Sequence, residues 1–460
     1  MGNPKSPDRL PAACSEAQNR VESCPLEVDS GQNLTSPPNA PETLHRGVFL
    51  LKQRGTSLPL DGTVQLHWLP APEVRFEGRS EKIAARVDLD GAEFSTGPAG
   101  LRGRALVLNH EPLEGRYTGI LNGWSVRGRR RSVRSAGFQL LNFPAYLGQP
   151  VRRMVDQGVM LSRARLSFHT ENWTVNLDEI RDYPKKLPKI RARGGYVASH
   201  VGEITAAPGG VLPFQQIEQI RERLHLFFGF LAGQWVGPVL LTGKGMSGPV
   251  WTEYSSWRVT PSRQPRSWLP HHVATDVEPL LASFDALYSK PLWNRAIRTL
   301  VNWYVHANAE SGTIESALTA ATIPLELLAW LVMVEDGKHI SARKFDDLSA
   351  GRRLEALLDR AGVPTRVPDH LPHLRDSNLA ETGKTGPACL LAVRNGLVHP
   401  KKARRDRLAE WDRRVLFELK ELALSYVELA FLHVLGYRGR YARRMFQGWK
   451  GEDLAPVPWA

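Results

Sequence analysis

The hydrophobic pattern of this chain changes period once, and that change limits what it can fold into. From Gly47 to about Trp257, β-type runs punctuated by glycine and proline occur at Val48 to Leu51, Thr63 to Trp68, Glu73 to Phe76 and Ala105 to Leu108. Further runs follow at Ala164 to His169, Trp173 to Leu177 and Tyr196 to Ile204. Several alternate apolar with polar residues, as half-buried antiparallel strands do, because successive side chains on a strand point to opposite faces. One exception is Phe214 to Gly233, where Ile217, Ile220, Leu224, Phe227, Phe228 and Leu231 recur at helical spacing, so a helix is predicted to pack on the sheet. From Ala274 strand signals vanish, and helices are predicted over Val277 to Tyr288, Leu292 to Ala309, Thr313 to Glu335, Ala350 to Ala361, Pro387 to Val398 and Arg404 to Leu435. The expected fold class is therefore α+β and multidomain, an N-terminal antiparallel β-rich, sandwich-like domain followed by a C-terminal all-α bundle.

Segment by segment, residues 1–43 are rich in Pro, Ser, Asn and Glu without periodicity and read as a disordered tail. Residues 44–260 form the β-rich sensing or regulatory domain, 261–273 a linker, 274–437 the bundle and 438–460 a basic C-terminal tail. The stretch from Arg353 to Pro387 is interrupted by Pro364, Pro368 and Pro372, which predicts a long ordered loop. Three cysteines, Cys14, Cys24 and Cys389, supply neither a disulfide framework nor a zinc set, and a reducing cytoplasm fits that usage. No membrane span is expected, since Ile323 to Val334 is too short and contains Glu326. A formal net charge of +13 favours a polyanionic partner, with solubility as the plainer explanation.

Near the C-terminus, Arg394-Asn395-Gly396-Leu397-Val398-His399 is followed by Pro400. Arginine keeps its charge and offers a planar fork to phosphate oxygens, while histidine titrates nearest neutrality, so together they are the minimum for cutting RNA without a metal. Arginine, four residues, then histidine also occurs at Arg266 to His271, but Pro261, Pro265 and Pro270 deny that copy a continuous helix. The Arg394 copy closes the apolar run Ala388 to Val393 after Pro387 at a helix start. Positions five apart on an ideal helix lie roughly 140° apart. Pro400 disfavours helical geometry at His399, letting the imidazole leave the helix. The plainer alternative is a helix end saturated by a cation and an imidazole, with Asn395 a cap residue.

These residues resemble the HEPN superfamily, in which an arginine, a polar residue and a histidine close a bundle helix. Asn395 matches the polar position, and Thr313 to Glu335 resembles the earlier bundle helix carrying an acid, here Glu326. The resemblance covers about Ala274 to Tyr437. The whole layout resembles bacterial anti-phage proteins of the ApeA type. What the resemblance implies is a HEPN-like bundle and a metal-independent endoribonuclease in defence, with Arg394, His399 and Asn395 catalytic and Glu326 supporting. It also implies RNA such as tRNA or mRNA as substrate, a homodimer through the bundle, and a phage-derived activator at the β-rich domain. A non-catalytic HEPN-type module binding nucleotide, RNA or a partner stays open, as does a purely structural Glu326. Lys401, Lys402, Arg404 and Arg405 follow the motif and are expected to draw in the RNA backbone, unless they form a solvated helix face.

Other constellations are incomplete, and no cofactor or metal is expected. Gly383-Lys384-Thr385 lacks the first glycine and the preceding strand of a P-loop. Pro372 breaks the pair His370 and His373, and His271-His272 lacks partners. Basic clusters at Arg127 to Arg131 and Lys185 to Arg193, and the aromatics Trp251, Tyr254 and Trp257, suit ligand binding or, respectively, loop solubility and core packing.

Overall fold

A computed structural model of the chain describes residues 23–29, 31, 37–53, 55–81, 91–98, 100–111, 113–156, 158–254, 257–262, 265–309, 312–380, 385–399, 401–403, 406, 410–446 and 453–460. The first six strands are β1 (Glu42–Gln53), β2 (Thr56–His67), β3 (Glu73–Arg79), β4 (Ala92–Ser95), β5 (Leu101–Glu111) and β6 (Arg116–Gly128). All pair antiparallel, and because β1 also pairs with β4 and β3 with β6, they close in the order β1-β2-β3-β6-β5-β4. Alternation turns Leu58, Leu60, Val64 and Leu66 of β2 and Val74 and Phe76 of β3 inward. Phe49, Phe76 and Phe94 meet at the centre with ring centroids 5.8, 5.1 and 5.9 Å apart. At the closing seam Phe76 pairs with Gly119, where an added Cβ would lie 2.3 Å from the Leu106 carbonyl and 2.5 Å from the Phe76 ring. The expected sandwich is here a barrel, because closure depends on that glycine contact, which alternation alone does not encode.

Beyond β6 the sheet continues open. Its further strands are β7 (Ser135–Leu141), β8 (Gln149–Val155), β9 (Gly158–His169), β10 (Trp173–Glu179), β11 (Ala198–Ala206), β12 (Val239–Gly245) and β13 (Gly248–Glu253), ordered β6-β13-β12-β7-β11-β10-β9-β8. Residues 23–29 cover the outer edge: Leu26 bridges Arg152, and Glu27 N–H donates to the Arg152 carbonyl at 3.0 Å. This piece of the expected disordered tail is ordered because an open edge offers it hydrogen bonds; residues 1–22 lie outside the described residues. The basic stretch at 185 is not a loop. It lies in α1 (Tyr183–Arg193), where Pro184 occupies a first-turn position that tolerates proline. The helix expected from Phe214 is α2 (Phe214–Ala232).

The helical region comprises α3 (Leu280–Tyr288), α4 (Pro291–Asn308), α5 (Ile314–Trp330), α6 (Ala342–Asp346), α7 (Ala350–Arg360), α8 (Pro372–Arg375), α9 (Gly386–Val398) and α10 (Arg413–Val434). The last begins nine residues later than expected, at the Asp412 side chain, which accepts the Arg414 N–H at 2.7 Å. α5 runs on through a π turn to Glu335; the resulting Ile314–Glu335 helix is long and apolar enough to cross a membrane and is mostly buried in the bundle. One hydrophobic core runs from Val133 to Val457, so the open sheet, α2 and the bundle are packed together across the segment read as a linker. Residues past Tyr437 are no free tail: β14 (Arg440–Ala442) pairs with β15 (Leu454–Pro456), and Val457 is buried. The architecture is thus α+β, an N-terminal antiparallel β-rich part of barrel plus strands followed by a helical region.

Candidate functional site

The sequence motif lies at the end of α9. Thr385 caps its start by accepting the Ala388 N–H, and Gly386 lets Tyr426 of α10 approach, since a Cβ there would lie 2.3 Å from the Tyr426 hydroxyl. Cys389, Leu390, Leu391 and Val393 are buried, which anchors the helix against α5, α7 and α10. Arg394 and Asn395 are half-buried and His399 is exposed. Arg394 Nη1 donates to Asn395 Oδ1 at 3.2 Å, and the Arg394 guanidinium has no carboxylate partner among the described residues. His399 leaves the helix with φ −112° and ψ 97°, its N–H still donating to the Asn395 carbonyl at 3.1 Å. That exit is what a following proline predicts.

Glu326 is half-buried on α5. Among the described residues it makes no hydrogen bond or ion pair with Arg394 or His399. Lys401 and Lys402 are exposed, and Lys402 pairs with Asp406 at 3.0 Å, the ordinary solvated pair that was the plainer reading. Arg404 and Arg405 lie outside the described residues. Trp251 and Tyr254 are buried, and Trp251 packs edge-on against Phe214, so these aromatics serve the core.

A second site was not legible in the sequence. A cavity of about 700 Å³ opens between the open sheet, α1 and the C-terminal segment. Its sheet side carries Tyr146, Glu179, Tyr183, Leu187 and Arg191. Arg266, His271 and His272 line it from the junction, and Arg443, Met445 and Phe446 from the C-terminal segment. The discarded Arg266 to His271 copy is therefore in its wall. Burial pushes the Glu179 carboxyl up to about 7, against the opposing pull of Arg153 and the Tyr146 backbone amide. Arg266 donates to Met445 Sδ at 3.0 Å, a weak acceptor for a strong donor.

Behind the cavity stands a buried charge cluster. Arg444 donates to Glu421 Oε2 at 2.9 Å, to Glu428 Oε1 at 2.6 Å, to Asn308 Oδ1 at 3.0 Å and to the Arg266 carbonyl at 3.1 Å. Tyr304 donates to Glu428 from α4. The Arg444 guanidinium thereby ties α4, α10 and the junction together. Sequence reasoning missed this cluster because its members are as much as 178 residues apart. The one local signal was two acids, Glu421 and Glu428, seven residues apart on the buried face of α10.

Residues 128–265 match the family model of the YopA central domain, and residues 290–454 match that of the YopA C-terminal domain. The chain is similar to YopA. A relative, the SPbeta prophage-derived protein YopA of Bacillus subtilis (strain 168), is 24% identical over 437 residues, covering 90% of this chain and 96% of the relative. No solved structure matches. The cavity draws its walls from both YopA-like segments and from the junction between them.

Proposed function

We propose that the helical region is a HEPN-type, metal-independent endoribonuclease acting in phage–host conflict in the cytoplasm. The observation that carries this reading is the end of α9: an exposed imidazole on extended backbone, following an arginine whose guanidinium is steadied by Asn395 and free of any described carboxylate. In this mechanism His399 removes the proton from an RNA 2′-hydroxyl. The oxygen attacks the adjacent phosphorus, the bond to the 5′-oxygen breaks, and Arg394 stabilises charge on the non-bridging oxygens. Products are a 2′,3′-cyclic phosphate and a 5′-hydroxyl, the leaving oxygen taking its proton from the second His399 of a homodimer. Lys401 attracts the RNA backbone, and the β-rich part receives an activating ligand of phage origin. The prophage derivation of the YopA relative supports a setting in phage biology.

A non-catalytic RNA- or nucleotide-binding module is the second reading. It is favoured by the contact of Arg394 with its own neighbour Asn395, which a helix-end role also explains. The deciding experiment is cleavage of labelled mixed RNA in EDTA by the wild type, His399→Ala and Arg394→Ala, with end-group analysis. Cyclic-phosphate ends lost in both folded variants support the enzyme. Unchanged cleavage in both overturns the site, and RNA binding without cleavage favours the module.

A further inference from the structure

The cavity between sheet and C-terminal segment needs no part of the ribonuclease reading to have a role. Its volume of about 700 Å³ lies in the range of small-molecule sites, about 300–1,000 Å³. Its wall mixes flat and apolar side chains with cations. Tyr183, Leu187 and Phe446 offer surface to a ring, while Arg191 and Arg266 bring two guanidinium groups to the same concavity.

Those two arginines form no ion pair among the described residues, and Arg266 spends a donor on the Met445 thioether. Arg444, which also lines the cavity, is by contrast neutralised by Glu421 and Glu428. Guanidinium forks without an anion in a concave, partly apolar site are the arrangement that receives phosphate bidentately. Glu179 lies in the same wall. Because burial holds its carboxyl near neutrality, it can donate to a ring acceptor as well as accept from a ring N–H.

We propose that this cavity binds a free nucleotide, its phosphate held by Arg191 and Arg266 and its base against Tyr183, Leu187 and Phe446 within reach of Glu179. The bound nucleotide bridges the YopA-like central and C-terminal segments. Through Arg266, whose carbonyl accepts from both Arg444 and Asn308, it adjoins the clamp that holds α10.

Calorimetric titration of the full chain with AMP, GMP, UMP and inorganic phosphate tests this. Saturable binding of at least one nucleotide is expected, weakened about tenfold or more by Arg266→Ala and by Arg191→Ala, the scale of a lost charge-assisted hydrogen bond. Leu187→Trp, which fills the ring slot and keeps every charge, is expected to abolish it. Lys189→Ala, an exposed cation of the same helix outside the cavity wall, is expected to leave it unchanged. The absence of saturable binding at millimolar nucleotide overturns the proposal. An equal loss in Lys189→Ala and Arg266→Ala also overturns it, by showing diffuse charge attraction, as does inorganic phosphate binding as tightly as any nucleotide.

Discussion

The barrel and the sheet-and-helix unit are built from neighbouring strands of one continuous sheet, yet they are stabilised differently. Among the described residues, the barrel strands bury no charged side chain; only Ser80 and Ser125 are buried polar groups between residues 42 and 128. The open sheet and helices bury Arg165 against Asp178 at 2.7 Å, Arg221 against Glu253 at 2.8 Å, and Arg444 against Glu421 and Glu428. Closure explains the contrast. A barrel satisfies its own edges and needs only apolar filling. An open sheet must be covered by elements from distant parts of the chain, and paired charges hold those elements in one register at a desolvation cost.

Arg444→Ala is expected to have the largest effect. It strands two buried carboxylates, which costs about 3–5 kcal/mol. Phe94→Ala should cost a similar ~3–5 kcal/mol through a cavity at the barrel centre. Urea unfolding with separate reporters in each unit checks the pair: each variant should shift mainly its own transition. Equal shifts of both transitions by either variant would break the contrast. Lower pH sharpens it. Burial pushes Glu421 up, but Arg444 and Lys420 outweigh that and leave it lowered. Its contribution is therefore present above the ordinary carboxylate value and lost as pH falls through the lowered one. The same fall also charges histidine. Burial depresses His200 to about 3 and His225 to about 4, so stability drops progressively below the ordinary histidine value of about 6.5. These groups all belong to the sheet-and-helix unit, so its transition should be the acid-sensitive one.

Glu179→Gln is a smaller effect of opposite sign. A carboxyl raised to about 7 costs stability as pH rises from its unfolded value to 7, because only the unfolded chain ionises freely. The glutamine variant should therefore gain more melting temperature over wild type at pH 8 than at pH 5; equal gains would show that burial does not hold the group. The smallest effect is expected for His399→Ala, under about 0.5 kcal/mol for an exposed site, with RNA cleavage lost if the proposed enzyme is right. A large destabilisation would make His399 a structural helix end.

Much of the secondary structure was legible. The run Trp173 to Leu177 lies in a strand, Thr63 to Trp68 overruns its strand by one residue, and Phe214 to Gly233 is a helix to within a residue, because burial on one face imposes periods of two and 3.6 residues. α1 was missed because Pro184 and Pro188 look like breakers, although Pro184 stands in the first turn and the helix runs on through Pro188. The helix exit at His399 was legible because proline acts on its immediate neighbour. Arg266 was set aside on the same local grounds, rightly as a helix motif. Its cavity was invisible, since the walls come from residues as far apart as Asn142 and Leu454.

Sequence alone determined the change from strands to helices, the start of α9 to within one residue, at Pro387 where the helix begins at Gly386, and the release of His399 before Pro400, all of which follow from contacts within a few residues. Tertiary structure alone decided that β3 closes on β6, that one core joins sheet and bundle, and that Arg444 meets Glu421, Glu428 and Arg266. Those contacts link distant segments, and which distant groups meet depends on the energy of the whole packed chain.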